Sequence, residues 1–129
     1  MIKGVGIDLQ AVERVEKAIE TDNFVRRVYT PAEQAYLHQK GALRAQSAAG
    51  IYAAKEAALK ALKTGIGKTA LCEAEITHDA LGAPEIILHG AAKARLWEMG
   101  AQTMHVSITH DGGFAMAVCI AEGSEEAKA

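Results

Sequence analysis

"GIYAAKEAALKALKTGIG", residues 50–67, decides the fold. On a helical wheel of about 100° per residue, Ala54, Ala58 and Leu62 fall within roughly 60° of Ile51 and form a stripe that a core would cover. Glu56 and Lys60 fall outside it, near each other. Read as a helix, the run extends from about Ala42 to Lys63 and stops at "TGIG", where Gly65 suits the left-handed geometry of a helix terminus. Gly50 marks either a break in that helix or a close backbone contact. A long, small-residue helix needs a surface to lie against, and the flanking segments have to provide it.

They read as strands and shorter helices. Ile2 to Ile7 is β-branched and punctuated by Gly4 and Gly6, which predicts a strand closely approached by another element, with Asp8 at its end. Val12, Val15 and Ile19 recur at helical spacing in a first helix that begins near Ala11. "TPAE" at 30–33 opens another: Thr30 caps, Pro31 fits the first turn, and Glu33 reaches back as in a capping box. Leu71 to Thr77 and Glu85 to Leu88 read as a hairpin around "DALGAP", and Ala91 to Met99 as a helix. "MHVSITH" and "FAMAVCIA" form a second hairpin across "DGG". The order β-ααα-ββ-α-ββ is an α+β class, with an antiparallel or mixed sheet packed against the long helix. Residues 1–122 make one domain, and 123–129 read as a solvated tail.

Composition narrows the function. The chain has 129 residues, half of them hydrophobic and only 5% aromatic, with a formal charge of -2. That balance argues against nucleic-acid binding through bulk electrostatics. No segment has the roughly 20 apolar residues of a membrane span, and the apolar start lacks a signal-peptide pattern, so a cytoplasmic protein is expected. Cys72 and Cys119 lack CxxC spacing and read as buried thiols.

Candidate chemistry converges on carboxylates. Glu56 and Lys60 could be an ordinary i,i+4 pair, worth about 0.2–0.5 kcal/mol, and Asp8 could simply cap the first helix. Brought together, however, Asp8 and Glu56 would repel unless a cation lay between them, and two carboxylates with water and phosphate is a common setting for Mg²⁺. Lys60, one turn from Glu56, would then meet a phosphate. "TGIGKT" at 64–69 is not a P-loop: Leu62 stands where the first glycine is required, and the strand and helix come in the wrong order. His105 and His110, five apart on one strand, face opposite sides and make no zinc pair. His110, beside "DGG", stands where strand ends meet ligands.

Together these residues resemble the 4′-phosphopantetheinyl transferases of the short holo-acyl-carrier-protein synthase type. Gly6, Asp8 and Arg14 carry the first signature, in "GIDLQAVERV"; Tyr52, Lys55, Glu56 and Lys60 carry the second, in "YAAKEAALK"; "TGIG" and "HVSITH" add to it. The resemblance runs from Ile2 to about Glu122. It implies a hotdog-like fold, a homotrimer with sites between subunits, and transfer of phosphopantetheine from coenzyme A to a serine of an acidic apo-acyl carrier protein. It further implies Asp8 and Glu56 as Mg²⁺ ligands, Asp8, Glu56 and Lys60 as catalytic residues, and Lys60, Lys63, Gly65 and His110 at the cofactor. Arg14, Arg26 and Arg27 would dock the carrier. Relatives commonly have Arg then Phe or Trp where this chain has Ile51 and Tyr52, so Lys63 or Arg44 is expected to compensate at the 3′-phosphate. An Mg²⁺-dependent phosphate-ester hydrolase and a non-catalytic oligomeric module remain as other classes.

Overall fold

The computed structural model describes residues 1–64 and 69–124. In chain order the elements are β1 (Ile2–Ala11), α1 (Val12–Ala18), α2 (Asp22–Val28), α3 (Pro31–His38), α4 (Arg44–Ala61), β2 (Ala74–His78), β3 (Pro84–Leu88), α5 (Gly90–Glu98), β4 (Thr103–Asp111) and β5 (Phe114–Glu122), with short 3-10 turns at Gly41–Leu43 and Leu71–Glu73. One sheet has the order β1-β5-β4 and the other is the β2-β3 hairpin; every pairing is antiparallel. The α+β reading with a long helix against an antiparallel sheet holds.

α4 is buried on more than the expected stripe. Ile51, Ala54, Ala58 and Leu62 are all buried, and so are Ala48, Ala49, Ala53, Ala57 and Ala61. Alanine makes this possible, because a helix without long side chains lets its backbone come close to whatever it packs on. β1 meets it with glycine: a Cβ on Gly4 would strike the carbonyl of Ala61, and one on Gly6 the carbonyl of Ala57. From the other side β5 offers Ala115, Ala117, Cys119 and Ala121, all buried. Cys119 donates its thiol to the Ala54 carbonyl at 3.4 Å, and burial pushes that thiol up to about 12. Gly50 causes no break; it is the close contact, since a Cβ there would lie 2.9 Å from His110 Nε2.

The elements differ from expectation in four places. β1 continues to Ala11, so Asp8 lies inside the strand opposite Ala117 rather than at its end, and Ala11 occupies the cap position of α1. α2 is a helix of only two turns, too short to show a period. Leu71 belongs to a 3-10 turn, and beside it Cys72 is only partly buried. α4 proper starts at Arg44, and the left-handed residue after it is Lys63, at φ 60°; Gly65 lies outside the described residues. The C-terminal carbonyls of α4 gain a partner from α5, where Arg95 Nε donates to Leu62 O at 2.9 Å.

Turn chemistry behaves as read. Gly112 and Gly113 both have positive φ between the paired Asp111 and Phe114, as a two-residue hairpin loop requires. Thr30 and Glu33 form the capping box of α3. Glu33 does more: it is buried, accepts from Thr30 N and Ile76 N, and takes both of its oxygens to Lys55 Nζ at 2.6 and 2.9 Å. Lys55 also donates to Ala74 O, so α3, α4 and β2 are joined at one point. Gly123 is buried and bonded to the N-terminal residue, which removes it from the tail.

Candidate active site

The glycine contacts on α4 carry Asp8 to the site. Gly4 lies against Ala61 and Gly6 against Ala57, so β1 and α4 run past each other in opposite directions. Asp8, two residues beyond Gly6, faces the same way and reaches the helical turns that hold Glu56 and Tyr52. Its Oδ2 accepts from Gln10 Nε2 at 2.8 Å. Lys60 Nζ donates to Asp8 Oδ1 at 3.1 Å and to Ile7 O at 3.0 Å. The expected Glu56–Lys60 pair is therefore not the ion pair formed: Lys60 reaches across to the strand.

Glu56 is half-buried. Burial, and after it the negative charge of Asp8, raise its carboxyl above the ordinary range, while the Tyr52 hydroxyl and the Lys60 ammonium act the other way. The phenol of Tyr52 is raised in turn, by burial first and then by the charges of Glu56 and Asp8. Two carboxylates that feel each other across a strand–helix contact, with one lysine half-exposed beside them, fit a divalent cation. Among the described residues no group of three or more His, Cys, Asp or Glu could hold a metal. Asp8 and Glu56 alone would supply the protein's donors, and Mg²⁺ is an ion that keeps several waters and takes one or two carboxylates plus phosphate.

A second feature lies at the other end of α4. Ile51 lines a cavity of about 190 Å³ together with Tyr36, Ser47, Gly50, His78 and His110. The Tyr36 and His78 rings stack 4.0 Å apart at 6°, and Lys40 Nζ stands 4.7 Å over Tyr36. Burial, followed by the charge of Lys40, lowers the pKa of His78. His110, the predicted cofactor residue, has its Nε2 3.0 Å from Gln46 O. Neither residue expected to compensate for Ile51 lines this cavity. Lys63 lies beyond the C-terminal end of α4 and lines a separate cavity with Arg95 and Glu98. Arg44 lines a groove with Glu16 and Glu20, and its Nε is buried without a hydrogen-bond partner.

Arg14 on α1 and Arg26 and Arg27 on α2 are exposed. Two features escaped the sequence reading, the Gln10 amide on Asp8 and the nearness of the Tyr52 phenol to the Glu56 charge. The second was legible in principle, because Tyr52 precedes Glu56 by one helical turn, just as Lys60 follows it.

A sequence profile described as the 4′-phosphopantetheinyl transferase superfamily matches residues 4–119. The chain belongs to that superfamily. Within it, this transferase is 45% identical over 126 residues to a holo-[acyl-carrier-protein] synthase of Solidesulfovibrio magneticus, covering 95% of this chain and all of that one. Its fold is that of an acyl carrier protein synthase of Plasmodium yoelii solved with ADP bound, at a TM-score of 0.85, 31% identity and coverage of 97% and 98%. It also matches a holo-[acyl-carrier-protein] synthase of Helicobacter pylori in complex with coenzyme A, at a TM-score of 0.79, 33% identity and coverage of 92% and 99%. The family reading made from Gly6, Asp8, Arg14 and the Lys55-Glu56 motif is thereby shown.

Proposed function

We propose that this transferase moves 4′-phosphopantetheine from coenzyme A to a serine hydroxyl of an apo-acyl carrier protein, releasing adenosine 3′,5′-bisphosphate, with Mg²⁺ as the required ion. The observation that carries the reading is the meeting of Asp8 and Glu56, from β1 and α4, with Lys60 drawn onto Asp8. The coenzyme A held by the Helicobacter pylori relative supports the donor, and the name shared by the curated relatives supports the acceptor.

Asp8 and Glu56 would hold the ion, which supplies charge neutralisation at the diphosphate. The rest follows from the chain's own groups. Glu56, made more basic by burial and by Asp8, accepts the serine proton. The serine oxygen bonds to the phosphorus that carries pantetheine, and the bridging P–O bond breaks toward the adenosine bisphosphate. Lys60, half-exposed beside Asp8, would turn to an incoming phosphate and offset the charge that develops on that leaving group. His110 in the Ile51 cavity is the cofactor contact nearest the missing arginine, and Lys63 and Gly65 would be further contacts to coenzyme A. Arg14, Arg26 and Arg27 would meet the acidic carrier.

The apolar outer face of the three-stranded sheet supports a homotrimer, with Val5, Ile7 and Leu9 of β1 more than half exposed. The test is to incubate the protein with Mg²⁺, coenzyme A and apo-carrier and to look by mass spectrometry for one added phosphopantetheine. Glu56→Ala and Asp8→Ala should lose that product by at least about 10³-fold, as expected when the charge-stabilising groups of a phosphoryl transfer are removed. Hydrolysis of coenzyme A without a carrier would favour a phosphate-ester hydrolase instead.

A further inference from the structure

Lys55 stands beside Glu56 in the sequence signature, yet the transfer uses only Glu56 and Lys60 of that helix. Its side chain and that of Glu33 are both fully buried. Taking two charges out of water commonly costs as much as their attraction gains, so the role of the pair is to be sought in what it holds.

It holds the free edge of β2. β3 pairs with one edge of that strand; on the other, Lys55 Nζ donates to Ala74 O at 2.8 Å and Glu33 Oε2 accepts from Ile76 N at 2.7 Å. A lysine of α4 and a glutamate of α3 thus stand where a further strand would. Each of the three elements reaches the Ile51 cavity one step beyond this junction. On α4, Ile51 precedes Lys55 by one turn, and on α3, Tyr36 follows Glu33 by three residues. On β2, His78 follows Ile76 by two and so lies on the same face. All three line the cavity together with His110 of β4. Tyr36 and His78 meet there as nearly parallel rings 4.0 Å apart at 6°. A face-to-face stack tolerates little change in the spacing of α3 and β2. These elements are hydrogen-bonded at Glu33–Ile76 and, farther from the rings, at Thr30–Glu75.

We propose that Lys55 is a positioning residue for coenzyme A: by holding Glu33 and the edge of β2 against α4, it keeps Tyr36 and His78 stacked as one wall of the cavity that carries His110. The inference rests on the reading above that this cavity takes part of coenzyme A. Lys55 itself touches no ligand. Loosening it misplaces the wall without removing a reacting group, which raises KM and leaves kcat.

The test uses Lys55→Met in the full chain, with Glu33→Gln as the milder change to the same junction, read in its place if Lys55→Met does not fold. KM for coenzyme A should rise, by about 10-fold in Lys55→Met, the upper end of what an aromatic contact contributes, while kcat and KM for the carrier stay as in the parent. In the proton NMR spectrum the His78 ring signals, assigned by their loss in His78→Gln, should be shifted upfield by the Tyr36 ring in the parent and should lose that shift in the variant. His78 signals that keep the parent position overturn the proposal. So does a fall in kcat at unchanged KM, which would place the effect of Lys55 on Glu56. Tyr36→Leu is the control, since it removes the stack and leaves the junction. If Tyr36→Leu raises KM for coenzyme A and the junction variant stays within twofold of the parent, the proposal is overturned; if Tyr36→Leu also keeps the parent KM, the reading of the cavity itself fails.

Discussion

Lys55 and Glu33 show how much one buried contact can demand of a small protein. Both side chains are fully buried, and every polar atom of the pair has a partner, in each other and in the backbone of Thr30, Ala74 and Ile76. Burial pulls the Lys55 ammonium below its ordinary range, and the Glu33 carboxylate at 2.6 Å opposes that pull. Removing one partner leaves an uncompensated charge in the core, so Lys55→Met should cost about 3–5 kcal/mol in urea unfolding. The double variant Glu33→Leu, Lys55→Met should recover only part of this, because three backbone groups would still lack partners. Full recovery would show that the pair contributes nothing beyond its own neutralisation. Thr30 extends the network outward, donating its hydroxyl to Glu75 at 2.7 Å, with His89 Nε2 3.0 Å from the other Glu75 oxygen. Those bonds, Thr30 first, hold the Glu75 carboxyl below its ordinary value of 4.5. A depressed carboxyl gives stability that is complete above that value and is lost as pH falls through the folded-state pKa. Glu75→Gln should therefore unfold with a shallower loss of stability below about pH 4.5 than the parent does, read from urea midpoints at stepped pH.

At the scale of elements, the approach of β1 to α4 sets the site. Gly6 has the Ala57 carbonyl and the Ala61 nitrogen against it, and neither is a flexible side chain that could move aside. Gly6→Ala must therefore push strand and helix apart, at a cost of about 1–3 kcal/mol, and should raise the MgCl₂ concentration needed for half-maximal thermal stabilisation in the presence of coenzyme A by separating Asp8 from Glu56. Parent-like stability and midpoint in that variant would mean that the contact does not set the carboxylates. Gly4, Gly6 and the alanines of α4 made this contact legible before any coordinates, since small residues facing small residues signal backbone approach. The capping box at Thr30 and the two-glycine hairpin were legible for a similar reason: their determinants lie within four residues. α2 was not, because seven residues contain too few turns to establish a period. Asp8 was placed at a strand end, since nothing local in "IDLQA" marks where pairing with β5 stops. The Lys55–Glu33 pair was equally hidden: Glu33 had a sufficient local role in the cap, and its second role comes from a residue 22 positions away. Ile51 shows the reverse limit, because the departure itself was visible while the residues around it, His78 and Tyr36, come from other elements.

For the whole molecule, the sheet raises a question that one chain does not answer. Its inner face is covered by α4, and an antiparallel sheet with one covered face normally turns polar residues outward. Here β1 turns out Val5, Ile7 and Leu9, and β5 turns out Phe114 and Met116, all exposed. The register places Leu9 opposite Met116 and Ala11 opposite Phe114, so these side chains form one continuous surface. Polar groups there come from β4 and from Glu122 at the end of β5, which pairs with His105 of β4 at 2.8 Å. A surface of this kind is stable in water when another apolar surface covers it, and further copies of the same chain, as in the proposed homotrimer, would do so symmetrically. Val5→Glu with Met116→Glu puts charge on that surface and leaves Asp8, Glu56 and Lys60 untouched. Light scattering should show the parent as a trimer and the double variant as a monomer, with the far-UV circular dichroism of the fold retained. Transfer should be lost as well if the proposed site needs a second copy of the chain beside Asp8 and Glu56. A double variant of unchanged mass would remove this face from the interface, and a monomer with full transfer activity would place the complete site within a single chain.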